Sequence, residues 1–205
     1  HTRYGALGTL AIGEGGGDLV KLLLKQTYAV ARPQIVAVYL KGKPRKGVGP
    51  QDVALALVKA TFSKGFVKNK ILEFVGPGIA NLSMDFRNGI DVMTTETTCL
   101  SSVWQTDEKT KEYFAQHGRE GDYRELRPQE GAYYDAGVVI DLSRVEPMIA
   151  LPFHPSNAYT IREFLEDPVE ILAKVEAQGR KIKGDDSFTL TDKVKDGKVY
   201  VDQGI

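Results

Sequence analysis

QIVAVYLKGKPRKGVGPQDVALALVKATF, residues 34–62, together with KILEFV, residues 70–75, decides the fold. Gln34 to Leu40 is a β-branched and aliphatic run of strand length, bounded by Arg32-Pro33 on one side and a polar loop on the other. KGKPRKGVG (41–49) is that loop, basic and rich in turn residues. Pro50-Gln51-Asp52 then opens a helix whose apolar positions are Val53, Leu55, Leu57 and Val58. Lys70 to Val75 reads as a second strand, ended by Gly76-Pro77-Gly78. The alternation continues with a helix over 86–95 carrying Arg87, a strand over Leu100–Trp104, and a helix EKTKEYFAQHG capped by Asp107 and closed by Gly118. Val138–Leu142 is a further strand. Strands alternating with helices from 33 to 142 predict an α/β fold, a layered α/β/α arrangement with a mixed sheet flanked by helices.

Outward from that block the signals thin. Residues 5–17 form a glycine-rich stretch, which suits either tight backbone packing or a ligand cradle. Asp18 has the chemistry of an N-cap for DLVKLLLKQ, whose apolar density predicts a well-buried helix. Residues 119–136 are charged and irregular, and MIALPFHPSN (148–157) is extended and bounded by prolines. EDPVEILAKVEAQ (166–178) is a helix with Asp167 as its cap and Pro168 at its first position. The tail beyond it is polar and turn-rich.

Composition narrows the function classes. The chain has 205 residues with 27 Lys+Arg and 27 Asp+Glu, so a zero net charge argues against nucleic acid or an acidic membrane as the main partner. No apolar run approaches the roughly 18–20 residues that span a bilayer, and no secretory leader opens the chain. One cysteine forms no internal disulfide and by itself holds neither zinc nor an iron–sulfur cluster, which fits a reducing cytosol or organelle matrix, the cytoplasm being the expected setting. The start at His1-Thr2 and the stop at Ile205 read as the ends of a piece of a longer protein.

Candidate chemistry is sparse. Gly13 to Asp18 and Gly76 to Asn81 both fail the sixth position of a G-x-G-x-x-G loop, so backbone packing is the favoured reading of these glycines. His117 falls at a helix C-terminus, where a partial positive charge complements the dipole, and reads as a surface residue. His154, set between Pro152 and Pro155, also reads as an ordinary loop residue. Cys99 follows a threonine run and reads as a buried structural thiol. Glu96, in the stretch TTETTCLSSVW (94–104), is a lone acid beside a strand and reads as either a solvated turn residue or site chemistry.

The ordered matches settle more than the composition does. HT…GALGTLAIGEGGGD (1–18), EFVGPGIANLS (73–83), the R-x-x-I-x-x-M of 87–93, Glu96, SSVWQTDEKTKEY (101–113) and IDLSRVEPMIALPFHPSN (140–157) resemble segments of the aconitase superfamily, in that family's order and over about 150 residues. The DEKT-x-EY form is most like the isopropylmalate isomerase branch. The resemblance implies a hydro-lyase that removes water from, and adds it to, a small hydroxy-carboxylic acid, dependent on a 4Fe–4S cluster whose open iron acts as a Lewis acid. The family's cluster cysteines, its substrate-binding arginines and its proton-abstracting serine match no position here, so the fragment alone is expected to be inactive and to need the remaining domains of its parent chain.

Two residues carry over as catalytic. His1 matches the histidine of the family's Asp-Ser-His-Thr motif, which implies hydrogen bonding and proton handling at the leaving water. Glu96 matches the glutamate before the strand, which implies a carboxylate that orients an imidazole supplied from upstream of the chain. The resemblance divides the chain into the end of a first aconitase-like domain (1–32), a second α/β domain (33–145), and a linker with the start of a third domain (146–205). It departs at Val92, where the family has an asparagine, and in the threonines around Glu96. The alternative is a divergent, non-catalytic or RNA-binding member of the same superfamily. RNA is not the expected partner, because the basic loop 41–47 reads as a solvated connection.

Overall fold

In a computed structural model, residues 5–13, 15–27 and 29–204 are described. The elements in chain order are β1 (Ala11–Ile12), α1 (Gly16–Leu23), β2 (Ile35–Lys41), α2 (Pro50–Thr61), β3 (Ile71–Val75), α3 (Met84–Val92), β4 (Ser101–Trp104), α4 (Glu108–Gln116), β5 (Ala136–Asp141), β6 (Met148–Ala150), β7 (Ala158–Thr160), α5 (Ile161–Glu166), α6 (Pro168–Lys183), β8 (Val194–Lys195) and β9 (Lys198–Val199). Short 3-10 turns join several of them.

The main sheet has the order β1-β4-β3-β2-β5, with β2, β3, β4 and β5 parallel and β1 antiparallel on the edge. It is the mixed sheet, flanked by helices, that the strand–helix alternation predicts. The period-2 rule of strands sorts β2 into Val36, Val38 and Leu40, all fully buried, and Tyr39, 42% exposed. Against the buried face pack Val53 and Leu57 of α2 and Met84 and Ile90 of α3, while Phe74 and Trp104 stack in the sheet's own layer at 4.0 Å. The backbone of β2 is met closely by Gly78, where an added Cβ would lie 2.8 Å from the carbonyl carbon of Leu40. That contact, not a phosphate cradle, is what this glycine turn serves.

Helix starts follow their caps. Pro50 stands at the first turn of α2, and Asp52 Oδ2 accepts the Gly49 amide at 2.7 Å while its Oδ1 accepts the Met148 amide at 2.7 Å. One carboxylate thus caps α2 and ties β6 to it. Ser83 caps α3, Asp107 caps α4, and Asp167 followed by Pro168 begins α6.

Beyond the sheet, β6 and β7 pair antiparallel, and Leu151, Phe164, Ile171, Leu172 and Val175 form a second apolar cluster. β8 and β9 form a hairpin around Asp196-Gly197, both with positive φ (51° and 70°), the geometry of a tight two-residue turn.

Three expectations are corrected. The helix after the glycine run is not well buried: no residue of α1 is buried, and Leu19, Val20, Leu22 and Leu23 are 47–73% exposed. Its apolar side chains have no described element packed over them. Asp18 does not cap it, since Gly15 holds that position and Asp18 lies inside the first turn, paired with Lys21 at 2.9 Å. The helix expected over 86–95 runs instead from Met84 to Val92 and tightens into a 3-10 turn, Met93–Thr97. The cause is local: the hydroxyls of Thr94, Thr95 and Thr97 donate to the carbonyls of Asp91 (2.7 Å), Val92 (3.2 Å) and Thr94 (2.6 Å), each three residues back.

Candidate active site

That 3-10 turn is where the lone acid sits. Thr94 and Thr97 are buried and Thr98, at φ 64°, closes the turn in the left-handed region, so the backbone under Glu96 is held by its threonines. Cys99 follows, 5% exposed, with its thiol donating to the Thr94 carbonyl at 3.3 Å, as expected of a structural cysteine. Ser101 and Ser102 then enter β4, with the Ser101 hydroxyl donating to the Ala11 carbonyl at 2.7 Å. Gly5 packs on the backbone of Ser102 and the carboxylate of Asp91, so the first described residues lie against α3 and β4, the elements on either side of the Glu96 turn. His1 lies outside the described residues.

Glu96 is partly exposed, and the group that faces it is His154, with Nε2 3.9 Å from Oε2. The sequence had offered His154 as an ordinary loop residue. Here its ring stacks on Phe62, at the end of α2, with centroids 3.8 Å apart and planes 23° from parallel. Its Nδ1 lies 3.1 Å from the Ser156 amide and 3.0 Å from the Ser156 hydroxyl. The turn that carries it is laced by Asn157, whose amide donates to the His154 carbonyl at 2.8 Å and whose side chain donates to the Pro152 carbonyl at 2.7 Å. His154 and Met93 also border a cavity of about 800 Å³, lined by Leu55, Leu151, Phe164 and Tyr200 among others. The signal that could have found His154 was its position in a resembling segment, LPFHPSN. Nothing in the spacing linked it to Glu96. Val92, at the position of the family's asparagine, is 39% exposed.

The strongest electrostatic feature was not singled out from sequence. Arg87 of α3 is fully buried and forks onto both oxygens of Asp107, and it also donates to Thr110 Oγ1 at 3.2 Å and to the carbonyls of Ile79 at 3.0 Å and Leu82 at 3.3 Å. Burial alone would push the Asp107 carboxyl up, but the Arg87 guanidinium and the Thr110 donors outweigh it and hold it below the usual carboxylate range. This knot joins α3, α4 and the turn after β3, and it fixes the frame on which the Glu96 turn is built.

The remaining candidates read as structure. His117 ends α4 with Nδ1 2.7 Å from the Tyr113 carbonyl, exposed. In the basic loop, Lys41 pairs with Asp141 at 3.5 Å and Arg45 donates to the Val145 carbonyl at 3.0 Å, so part of its charge is spent within the chain. No helix among the described residues is long and apolar enough to cross a membrane.

The α/β scaffold thus carries an acid on a threonine-braced turn, facing an imidazole that borders the cavity. The chain belongs to the aconitase family: the model of that family, aconitate hydratase, matches residues 1–204. Among its relatives is the large subunit of 3-isopropylmalate dehydratase from Acetivibrio thermocellus, 36% identical over 162 residues, which cover 78% of this chain and 38% of the relative. Large subunit 1 of that enzyme from Thermotoga maritima is 31% identical over 168 residues, or 82% of this chain and 40% of the relative. Large subunit 2 from Archaeoglobus fulgidus is 31% identical over 164 residues, or 80% and 39%. The chain therefore spans about two fifths of the length of these curated relatives.

The 4Fe–4S cluster that the family implies does not fit the residues in hand. Cys99 is buried with its thiol turned to a carbonyl, and among the described residues no three His, Cys, Asp or Glu side chains gather as ligands.

Proposed function

We propose that this chain is part of a hydro-lyase that dehydrates and rehydrates a small hydroxy-carboxylic acid, with its 4Fe–4S cluster held by cysteines outside these 205 residues. The observation that carries the reading is Glu96. It is held on a rigid turn, partly open to solvent, beside α3 and β4, against which the first described residues also pack. The relatives support the reaction class, since their names describe dehydratases of 3-isopropylmalate, a hydroxy acid.

In this reading His1 handles the proton at the leaving hydroxyl and Glu96 accepts a hydrogen bond from an imidazole, fixing its orientation and raising its basicity. Water has to leave and return at one face of the substrate, and an imidazole free to rotate would transfer the proton at the wrong angle. The other partners are the remaining domains of the parent chain, which bring the carboxylate-binding cations and the base that takes the carbon-bound proton. Residues 1–32, 33–145 and 146–205 are then the end of one domain, the whole of a second and the start of a third.

The test is a screen of hydroxy acids, the isopropylmalates among them, with the anaerobically prepared parent protein, following formation of the unsaturated acid. Turnover of at least one is expected. A protein that takes up its cluster and dehydrates none of them overturns the reading.

A further inference from the structure

His154 is built to present one nitrogen. A backbone amide only donates, so the Ser156 N–H at 3.1 Å makes Nδ1 an acceptor and leaves the proton of the neutral ring on Nε2. The Ser156 hydroxyl at 3.0 Å lies on the same nitrogen and can donate there too. Ring rotation is opposed by the stack on Phe62 and by the laced turn on which the residue sits. What Nε2–H faces is Glu96 Oε2 at 3.9 Å, about an ångström beyond a direct hydrogen bond, a gap that a small side-chain rotation closes or one water bridges. Glu96 rests on a turn attached to the main sheet, and His154 on the turn between β6 and β7. The pair thus links the two parts of the chain at the acid itself.

We propose that His154 is a positioning residue for Glu96: its Nε2–H holds Oε2, leaving Oε1 as the acceptor for the imidazole that works on the substrate. The role rests on the hydro-lyase reading above. A carboxylate with only one partner swings about its last torsion, whereas one gripped at Oε2 offers Oε1 at a fixed angle. His154 touches no reacting atom and acts only through Glu96.

Two variants of the parent enzyme separate this role from simple packing. His154→Phe keeps an aromatic ring on Phe62 and removes the donor, while His154→Gln keeps an N–H donor near the Nε2 position. The expected result is a kcat lowered about tenfold or more by the first, with KM little changed, and largely restored by the second. Equal kcat in His154→Phe and wild type overturns the proposal while leaving the hydro-lyase reading intact. A wild-type parent with no activity on any hydroxy acid overturns that reading, and this role with it.

A second measurement does not depend on turnover. In nitrogen-15 spectra of the 205-residue chain, His154 is expected to show the Nε2–H tautomer, with the Nε2 resonance moving in Glu96→Gln. An Nδ1–H signature, or an Nε2 signal indifferent to Glu96→Gln, overturns the proposal.

Discussion

Replacing Arg87 with methionine tests the frame beneath the site. The guanidinium is fully buried and grips Asp107, Thr110 and the carbonyls of Ile79 and Leu82, so the substitution removes every one of those bonds while roughly keeping the side chain's length. Removing one partner of a buried pair costs on the order of 3–5 kcal/mol. Asp107 is 25% exposed and regains some water, which moves its share toward the lower end. The two stranded carbonyls add roughly 1 kcal/mol apiece, so the total is about 5 kcal/mol. At a urea dependence of about 2 kcal/mol per molar, the unfolding midpoint of the 205-residue chain should fall by about 2.5 M.

The pH dependence gives a second reading of the same variant. The Asp107 carboxyl is held below its ordinary value of 3.8, so its stabilising contribution is fully present above about pH 4 and is lost as pH falls through the lower folded-state value. Arg87→Met should remove that acid-limb contribution. A midpoint shift below about 0.5 M, with an unchanged acid limb, would refute the claim that this knot holds α3 and α4 together.

Other perturbations address separate parts of the account. Gly78→Ala brings a Cβ to 2.8 Å from the Leu40 backbone, which cannot yield as a side chain would, and should cost about 1–3 kcal/mol in thermal unfolding. Glu176 accepts the amides of Leu190 and Thr191 and the hydroxyls of Thr191 and Thr189, and these bonds, the amides first, hold its pKa down to about 2 from 4.5. Stability from this carboxylate is complete above about pH 4.5 and fades as pH falls toward 2, so Glu176→Gln should lower the neutral-pH melting temperature and flatten its fall over that window. In the parent enzyme, His154→Phe should reduce kcat with little change in KM.

Much of the fold was legible because local chemistry and long-range packing agree. The run from Gln34 to Leu40 became β2, and Pro50 with Asp52, Asp107, and Asp167 with Pro168 began their helices where cap chemistry put them. The stretch 119–136 stayed largely irregular, with a 3-10 turn at Glu120–Asp122 and its last residue, Ala136, opening β5. α1 was misread because apolar density measures what a helix offers to bury, and burial needs an opposing surface that no described residue supplies. The short pairs β6–β7 and β8–β9 were missed because two or three residues per strand leave no period to detect, although Asp196-Gly197 was a turn signal in plain view.

The site divides in the same way. Glu96 stood out in the sequence as a lone acid beside a strand, its proposed role came from the resemblance alone, and His1 lies outside the described residues. The contact between Glu96 and His154 joins residues from different turns, and no spacing rule reaches across a fold. Arg87 and Asp107 were both noticed for local reasons, one as part of a motif and one as a cap. Their union is a tertiary event, 20 residues apart in the chain.

The central claim is that the Glu96 carboxylate orients an imidazole that moves the proton of the leaving water. The most direct test is kcat of the cluster-loaded parent with Glu96 changed to glutamine, which keeps the shape and removes the charge. A fall of about a hundredfold in kcat, with KM nearly unchanged, is predicted from the usual worth of an oriented acid–base group. Wild-type kcat in Glu96→Gln would contradict the account.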